Sequence, residues 1–271
     1  MVEVVFGLMA HSLALVADAG HNLSDVLGLL LAWAASRLVK TAPTKRHTYG
    51  LRSSSILVSL ANAVILLVAI GAIAWEAVQR FSKPQDIPGG MVMAVASFGI
   101  VINAATALLF MKGREHDLNI RGAFLHMAAD AGVSLGVVLA GLAIKMTGLH
   151  WIDPVVSLLI VLVIAIGTWG LLRDSVNLAL HAVPAGIDRD EVERYLASLP
   201  GVRKVHDLHI WAMSTTETAL TAHLVMPDGT TDDDFLAHAS YELHDKFRIE
   251  HVTLQVERNG DKCRLAPDEV V

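Results

Sequence analysis

Cysteine occurs once in the 271 residues, at Cys263, which excludes an intrachain disulfide and a multi-thiolate zinc finger. Charge is also scarce. Asp, Glu, Lys and Arg make up 18% of the chain, against about 25% in an ordinary soluble domain. That shortage argues against a simple soluble enzyme. The 54% apolar content excludes intrinsic disorder. The opening residues lack the basic start and small-residue cleavage site of a secretory signal peptide.

What charge there is lies unevenly. Residues 1–182 hold twelve Lys/Arg and ten Asp/Glu, whereas residues 183–271 hold nine and seventeen. The boundary near Pro184 separates an apolar part from an acidic, soluble-looking one. An acidic domain suits cations and disfavours nucleic acid. Histidine is the outlier: its 13 copies exceed Trp, Tyr or Phe taken singly.

The apolar part divides into membrane spans. Residues 53–75, 87–111 and 154–172 carry no charge, and each is long enough for a hydrocarbon core of about 30 Å, which takes roughly 20 residues. Residues 10–36 and 122–144 are as long but contain His11, Asp18, His21 and Asp25 in one and His126 and Asp130 in the other. Met1–Ala10 is apolar and too short to cross; it reads as the end of a span that an upstream extension of roughly 20–30 residues would complete. Nine Lys/Arg (Arg37, Lys40, Lys45, Arg46, Arg52, Lys112, Arg114, Arg121, Arg173) fall on one side of these spans and three (Arg80, Lys83, Lys145) on the other. The richer side is expected to be cytoplasmic and to carry the C-terminal domain.

Residues 183–260 read as a small α+β domain. Residues 187–199 fit a helix with Asp188 as N-cap and Glu191 three positions on. Residues 202–213 and 217–226 read as strands. Residues 231–247 fit a helix capped by Thr231, with Asp232, Asp233 and Asp234 in its first turn. Residues 251–257 alternate and close as a third strand. Residues 261–271 are expected to be a disordered tail.

The chemistry sits inside the lipid. His21 and Asp25 are four apart, as are His126 and Asp130, so each pair shares one helix face. Two such faces opposed supply two imidazoles and two carboxylates, which suits tetrahedral Zn²⁺. Two carboxylates, two neutral rings and one Zn²⁺ carry no net charge, whereas unpaired carboxylates would be costly there. Protons are the natural replacement as the metal leaves, so metal binding releases protons and transport exchanges Zn²⁺ for H⁺. Asp18, on the same face, is a proton relay, a partner that orients the metal ligands, or a solvated residue near the span's outer end. Asn22 and Asn103 are read as interhelical hydrogen-bond partners, and Gly28, Gly132 and Gly136 as close-packing points.

Several segments together resemble one known family: residues 12–25 (SLALVADAGHNLSD), 46–50 (RHTYG), 125–130 (LHMAAD), 151–154 (WIDP) and 205–211 (VHDLHIW). Nearly the whole chain is similar to the cation diffusion facilitators, chiefly the zinc-transporting, zinc/cadmium/cobalt-resistance type. The resemblance implies a six-helix transmembrane domain, here with its first helix truncated, over residues 1–182. It further implies a ferredoxin-like cytoplasmic domain for dimerisation and metal sensing over 183–260. The protein would be a homodimer in a bacterial inner membrane, exporting Zn²⁺, with Cd²⁺ or Co²⁺ as further cargoes, in exchange for H⁺ by alternating access. His21, Asp25, His126 and Asp130 would form the transport site, the first-position His being associated with zinc over cadmium. A loop-borne metal site of some members would fall near residues 46–51, where His47 is the one plausible ligand. Additional zinc at the domain's dimer contact would match His206, His223, His238 and Glu257, with Gln255 where some relatives have His. His206 and His209, three apart on a strand, are expected to face opposite sides. Zn²⁺ is thus cargo and candidate regulator, and no organic cofactor is expected. Two alternatives stand beside this: a non-transporting metal sensor or inactive truncated paralogue, and an intramembrane metallohydrolase. The second wants a Glu beside the ligand His, and none follows His21 or His126.

Overall fold

A computed structural model describes residues 2–83, 85–111, 118–227 and 233–259. Thr231, Asp232, Lys112, Arg114 and the tail 261–271, all given roles above, lie outside the described residues. The helices are α1 (Val2–Met9), α2 (Leu13–Val39), α3 (Ser54–Ser82), α4 (Gly89–Phe110), α5 (Leu118–Thr147) and α6 (Ile152–Ala179). They are followed by α7 (Arg189–Ala197), β1 (Lys204–Ala212), β2 (Thr218–Val225), α8 (Asp233–Phe247) and β3 (His251–Glu257). Helices α2 to α6 are long and apolar enough to cross a membrane. They overrun the charge-free windows of the sequence. Helix α3 continues past Trp75 because Glu76 and Arg80 pair along it at 3.2 Å, a spacing that supports helix rather than ending it.

The chain forms two compact units, Met1–Leu30 with Asn62–Leu171, and Leu31–Ala61 with Leu172–Val271. In the first, Ala14, Leu15, Ala17, Val92, Ala96, Val137 and Ile164 are buried together. Small residues in that set let helices approach closely, which is how helices associate where lipid removes the hydrophobic drive. The tightest approach joins α4 to α5: a Cβ on Gly89 would run into the Gly141 carbonyl, and one on Gly141 would lie 3.0 Å from the Gly89 oxygen. Gly28 abuts Asn62, but Gly132 and Gly136 face open space, so the close-packing role expected of them belongs to Gly89 and Gly141. Outward, Leu29, Val68, Ile166, Trp169 and Leu109 are exposed, an apolar surface that lipid rather than water satisfies.

Asp153 organises one end of this unit. It is 1% exposed. It accepts hydrogen bonds from the Ser12 hydroxyl, from the Leu13 amide at 2.7 Å and from the Ala14 amide at 3.3 Å. A carboxylate at the start of α6 therefore caps the first turn of α2, where free N–H groups and the helix dipole favour an anion. Arg80 stands 3.9 Å from the same carboxylate and donates to the His11 carbonyl. His11 turns the chain at φ 51° between α1 and α2.

In the second unit, β1 pairs antiparallel with β2, and β2 parallel with β3, in the order β1-β2-β3. Val192 and Leu196 of α7 and Ala239 and Leu243 of α8 pack on Leu208, Ile210, Leu220 and Leu224 of the sheet. This is the α-β-β-α-β domain that the sequence pattern predicts. Asp188 caps α7, accepting from the amides of Asp190 and Glu191 at 2.9 and 3.3 Å. The segment before α3 grips the β1–β2 turn of the same unit: Arg52 pairs with Glu217 at 3.0 Å, the Thr215 amide donates to Ser55 at 3.0 Å, and Ser53 donates to the Met213 carbonyl at 3.3 Å.

Candidate metal centre

Helix α2 carries His21 and Asp25, and α5 carries His126 and Asp130, each pair one turn apart on one face. His21 Nε2 lies 3.3 Å from Asp130 Oδ1 and 3.8 Å from Asp25 Oδ2. His126 Nε2 lies 3.1 Å from Asp25 Oδ2 and 3.5 Å from Asp130 Oδ2. Each imidazole nitrogen thus faces both carboxylates, one from its own helix and one from the other. The edge of a tetrahedron with zinc–ligand arms of about 2.0–2.1 Å is about 3.3–3.4 Å, within the observed spread. The rings meet edge-on, with centroids 6.0 Å apart. His21, Asp25 and Asp130 bring one donor atom each within 4.8 Å of one another; His126 stands outside that three-residue set, meeting it through Asp25 and Asp130.

The site is graded in access. Asp130 is 3% exposed at its side chain and His126 45%. His126 and Asp25 line a cavity of about 450 Å³ together with Glu3, Asn22, Phe98 and Asn103. An ion can therefore meet His126 and Asp25 first and Asp130 last.

Asp18 is fully buried, not solvated, and accepts a hydrogen bond from Ser134 at 2.8 Å. Asn22 donates to Glu3 at 3.3 Å, a helix-to-helix bond of the expected kind. Sequence reasoning missed Glu3 and Ser134, and took Asp153 only as part of the 151–154 motif. Glu3 carried a signal, as the one charge in an apolar opening segment. Ser134, four past Asp130, carried only its helical spacing.

A second cluster lies on the sheet of the C-terminal domain. His206 of β1 and His223 of β2 are register partners, and their rings meet edge-on at 5.1 Å. Glu257 of β3 reaches both, at 3.2 Å to His206 Nε2 and 3.1 Å to His223 Nδ1. Gln255 donates to Glu257 at 2.8 Å. A β-bulge between His206 and His209 puts Asp207 at φ 50°, a conformation that Asp tolerates better than most residues. From there Asp207 meets His209 at 2.9 Å and His223 at 3.4 Å. Asp207 was not anticipated, because a bulge leaves no trace in strand alternation. His209 stays out of the cluster. His238 is exposed on α8, also outside it. His47 is exposed in a turn, its amide donating to Thr44 Oγ1 at 3.0 Å, and among the described residues it belongs to no metal-sized cluster.

The profile of the cation efflux transmembrane domain matches residues 1–178, and that of the cation efflux cytoplasmic domain matches residues 184–259. The chain belongs to the cation efflux family, the cation diffusion facilitators. It is a multi-pass membrane protein with a cytoplasmic C-terminal domain. It is similar to the zinc transporter ZitB of Escherichia coli, 38% identical over 270 residues, which are 98% of this chain and 86% of that protein. The metal cation efflux system protein CzcD of Cupriavidus metallidurans is 36% identical over 258 residues, 95% of this chain and 82% of that one. A cadmium, cobalt and zinc/H⁺-K⁺ antiporter of Bacillus subtilis is 32% identical over 262 residues, 95% and 84% of the two chains. The solved metal-bound C-terminal domain of CzcD is 40% identical, covering 26% of this chain and 98% of that chain, with a TM-score of 0.23.

Proposed function

We propose that this member exports Zn²⁺, with Cd²⁺ and Co²⁺ as neighbouring cargoes, from the cytoplasm across a bacterial inner membrane in exchange for protons. The observation that carries this reading is the juxtaposition of His21, Asp25 and Asp130 within metal-sized reach, with His126 Nε2 3.1 Å from Asp25 and 3.5 Å from Asp130 as the candidate fourth ligand of one tetrahedral ion. The relatives called zinc transporter, metal cation efflux protein and cadmium, cobalt and zinc/H⁺-K⁺ antiporter support it.

The mechanism follows from charge. Two carboxylates and two neutral rings cancel one divalent cation, so the loaded site costs little in a low-dielectric bundle. Emptied, the same groups take up protons, and because a ligand must shed its proton to hold metal, the two cargoes exclude one another. The shared site then turns a proton gradient into metal export. His126 and Asp25, on the cavity, receive the ion; His21 and buried Asp130 complete its shell.

His206, His223 and Glu257 would hold a regulatory cytoplasmic zinc, with Asp207 positioning His223. Two copies would pair through these domains, so that metal there biases dimer geometry and transport. In proteoliposomes, a pH gradient should drive zinc uptake, and Asp130→Ala should abolish it. Uptake by Asp130→Ala at the native rate would overturn the proposal; binding without flux in the native chain would instead identify a sensor.

A further inference from the structure

Beside the metal centre lie two carboxylates that the exchange described above does not use. Asp18 of α2 is 0% exposed and accepts from Ser134 through Oδ2, while its Oδ1 is buried without a hydrogen-bond partner. Glu3 of α1 accepts from Asn22 through Oε2, while its Oε1 is likewise buried without one. Glycine at position 99 brings the two together. A Cβ there would collide with Glu3 Oε1 and lie 3.3 Å from Ser134 Oγ, so the bare backbone of α4 leaves one small space bordered by the Glu3 carboxylate and by the hydroxyl that binds Asp18.

Among the described residues, no Lys or Arg forms an ion pair with either carboxylate. Helix α4 carries no ionisable residue. On α3, Arg80 is engaged with Glu76, the Asp153 carboxylate of α6 and the His11 carbonyl. On α2 and α5, His21, Asp25, His126 and Asp130 face one another, while Arg37 and Lys145 lie in the last turns of their helices, Arg121 near the start of α5, and Arg173 and Asp174 toward the end of α6. Two carboxylates close together in an apolar bundle cannot both stay ionised. The buried oxygen on each that makes no hydrogen bond is where a proton would neutralise the carboxylate.

We propose that Glu3 and Asp18, set about the space at Gly99 where Ser134 holds Asp18, form a proton-holding acid pair, separate from the metal ligands, that carries part of the proton countercurrent. This rests on the antiport reading above. The pair takes a proton from water onto a carboxylate oxygen and later returns it to water, with no other bond made or broken. Its charge is thereby neutralised without any claim on the metal, so proton traffic need not pass wholly through the liganding imidazoles.

The test compares the full chain with Glu3→Gln and Gly99→Ala in proteoliposomes, with zinc alone as the probe. Gly99→Ala displaces the Glu3 carboxylate without altering charge. Zinc affinity by calorimetry should stay within about twofold of native in both, as for separate sites. Zinc flux driven by a pH gradient should fall by about tenfold or more and lose its native pH profile, with Glu3→Asp restoring part of it. Native pH dependence in both variants, or loss of zinc affinity in either, would overturn the pair. Zinc flux in the native chain that ignores the pH gradient would instead overturn the antiport reading itself.

Discussion

The two His–carboxylate clusters are built from the same side chains in opposite ways. In the membrane, two helices each supply a His and an Asp one turn apart, and the set holds two carboxylates for two rings. In the cytoplasmic domain, three strands each supply one donor, with Glu257 serving both His206 and His223. Lipid explains the stricter stoichiometry of the first, because a residual charge there is expensive. Water relaxes it in the second, where Asp207 and Gln255 add polar contacts at the rim. On the proposed reading, the membrane cluster would load and unload a whole divalent charge, and the cytoplasmic one would hold metal at rest.

The largest effect should come from removing a membrane ligand. Asp130→Ala should weaken zinc binding at that site by more than about 100-fold, beyond the 10–100-fold typical of a supporting residue, while the zinc of the cytoplasmic cluster remains. Equal loss at both sites, read by calorimetry, would break the contrast. Next, Asp153→Ala should destabilise the fold by about 2–4 kcal/mol, since it uncaps α2 and leaves Arg80 short of a partner. A thermal melt of the detergent-solubilised protein checks this. His223→Ala should abolish the cytoplasmic zinc while leaving pH-driven flux in place at saturating zinc, measured in vesicles. Arg52→Gln should cost less than about 1 kcal/mol in a melt, because the Arg52–Glu217 pair is partly exposed.

The smallest effect concerns pH. The Lys246 ammonium, 2.6 Å away, holds the Glu242 carboxyl below its ordinary value, and Glu242 raises Lys246 in return. A lowered carboxyl stabilises above its unfolded value and loses that contribution as pH falls through the folded one. A raised amine stabilises below its unfolded value and loses it as pH rises through the folded one. Glu242→Gln should therefore leave a melt unchanged in its pH dependence across neutrality. A difference confined to strongly acid and strongly alkaline pH is the expected signature.

The membrane site was legible because helical periodicity is short-range: His21 with Asp25 and His126 with Asp130 announce themselves four residues apart. Their opposition across two helices was inferred from donor count, charge balance and the family resemblance, and each ring nitrogen lies within 3.8 Å of both carboxylates. Asp153 was legible only as part of a motif. Its partners Ser12, Leu13 and Ala14 lie about 140 positions away, and no local pattern encodes such a cap. Gly132 and Gly136 misled for a related reason: glycine spacing marks where a helix could pack, but the choice of Gly89 and Gly141 depends on which faces meet. In the sheet, alternation predicted the strands yet could not announce the bulge that turns Asp207 toward His223.

The most direct measurement is X-ray absorption at the zinc edge on the full chain carrying His206→Ala, His223→Ala and Glu257→Ala, so that only the membrane site remains. One zinc per chain, four-coordinate with nitrogen and oxygen at about 2.0 Å, is the expected result. A six-coordinate hydrated ion, or no bound zinc, would contradict a metal centre made of His21, Asp25, His126 and Asp130.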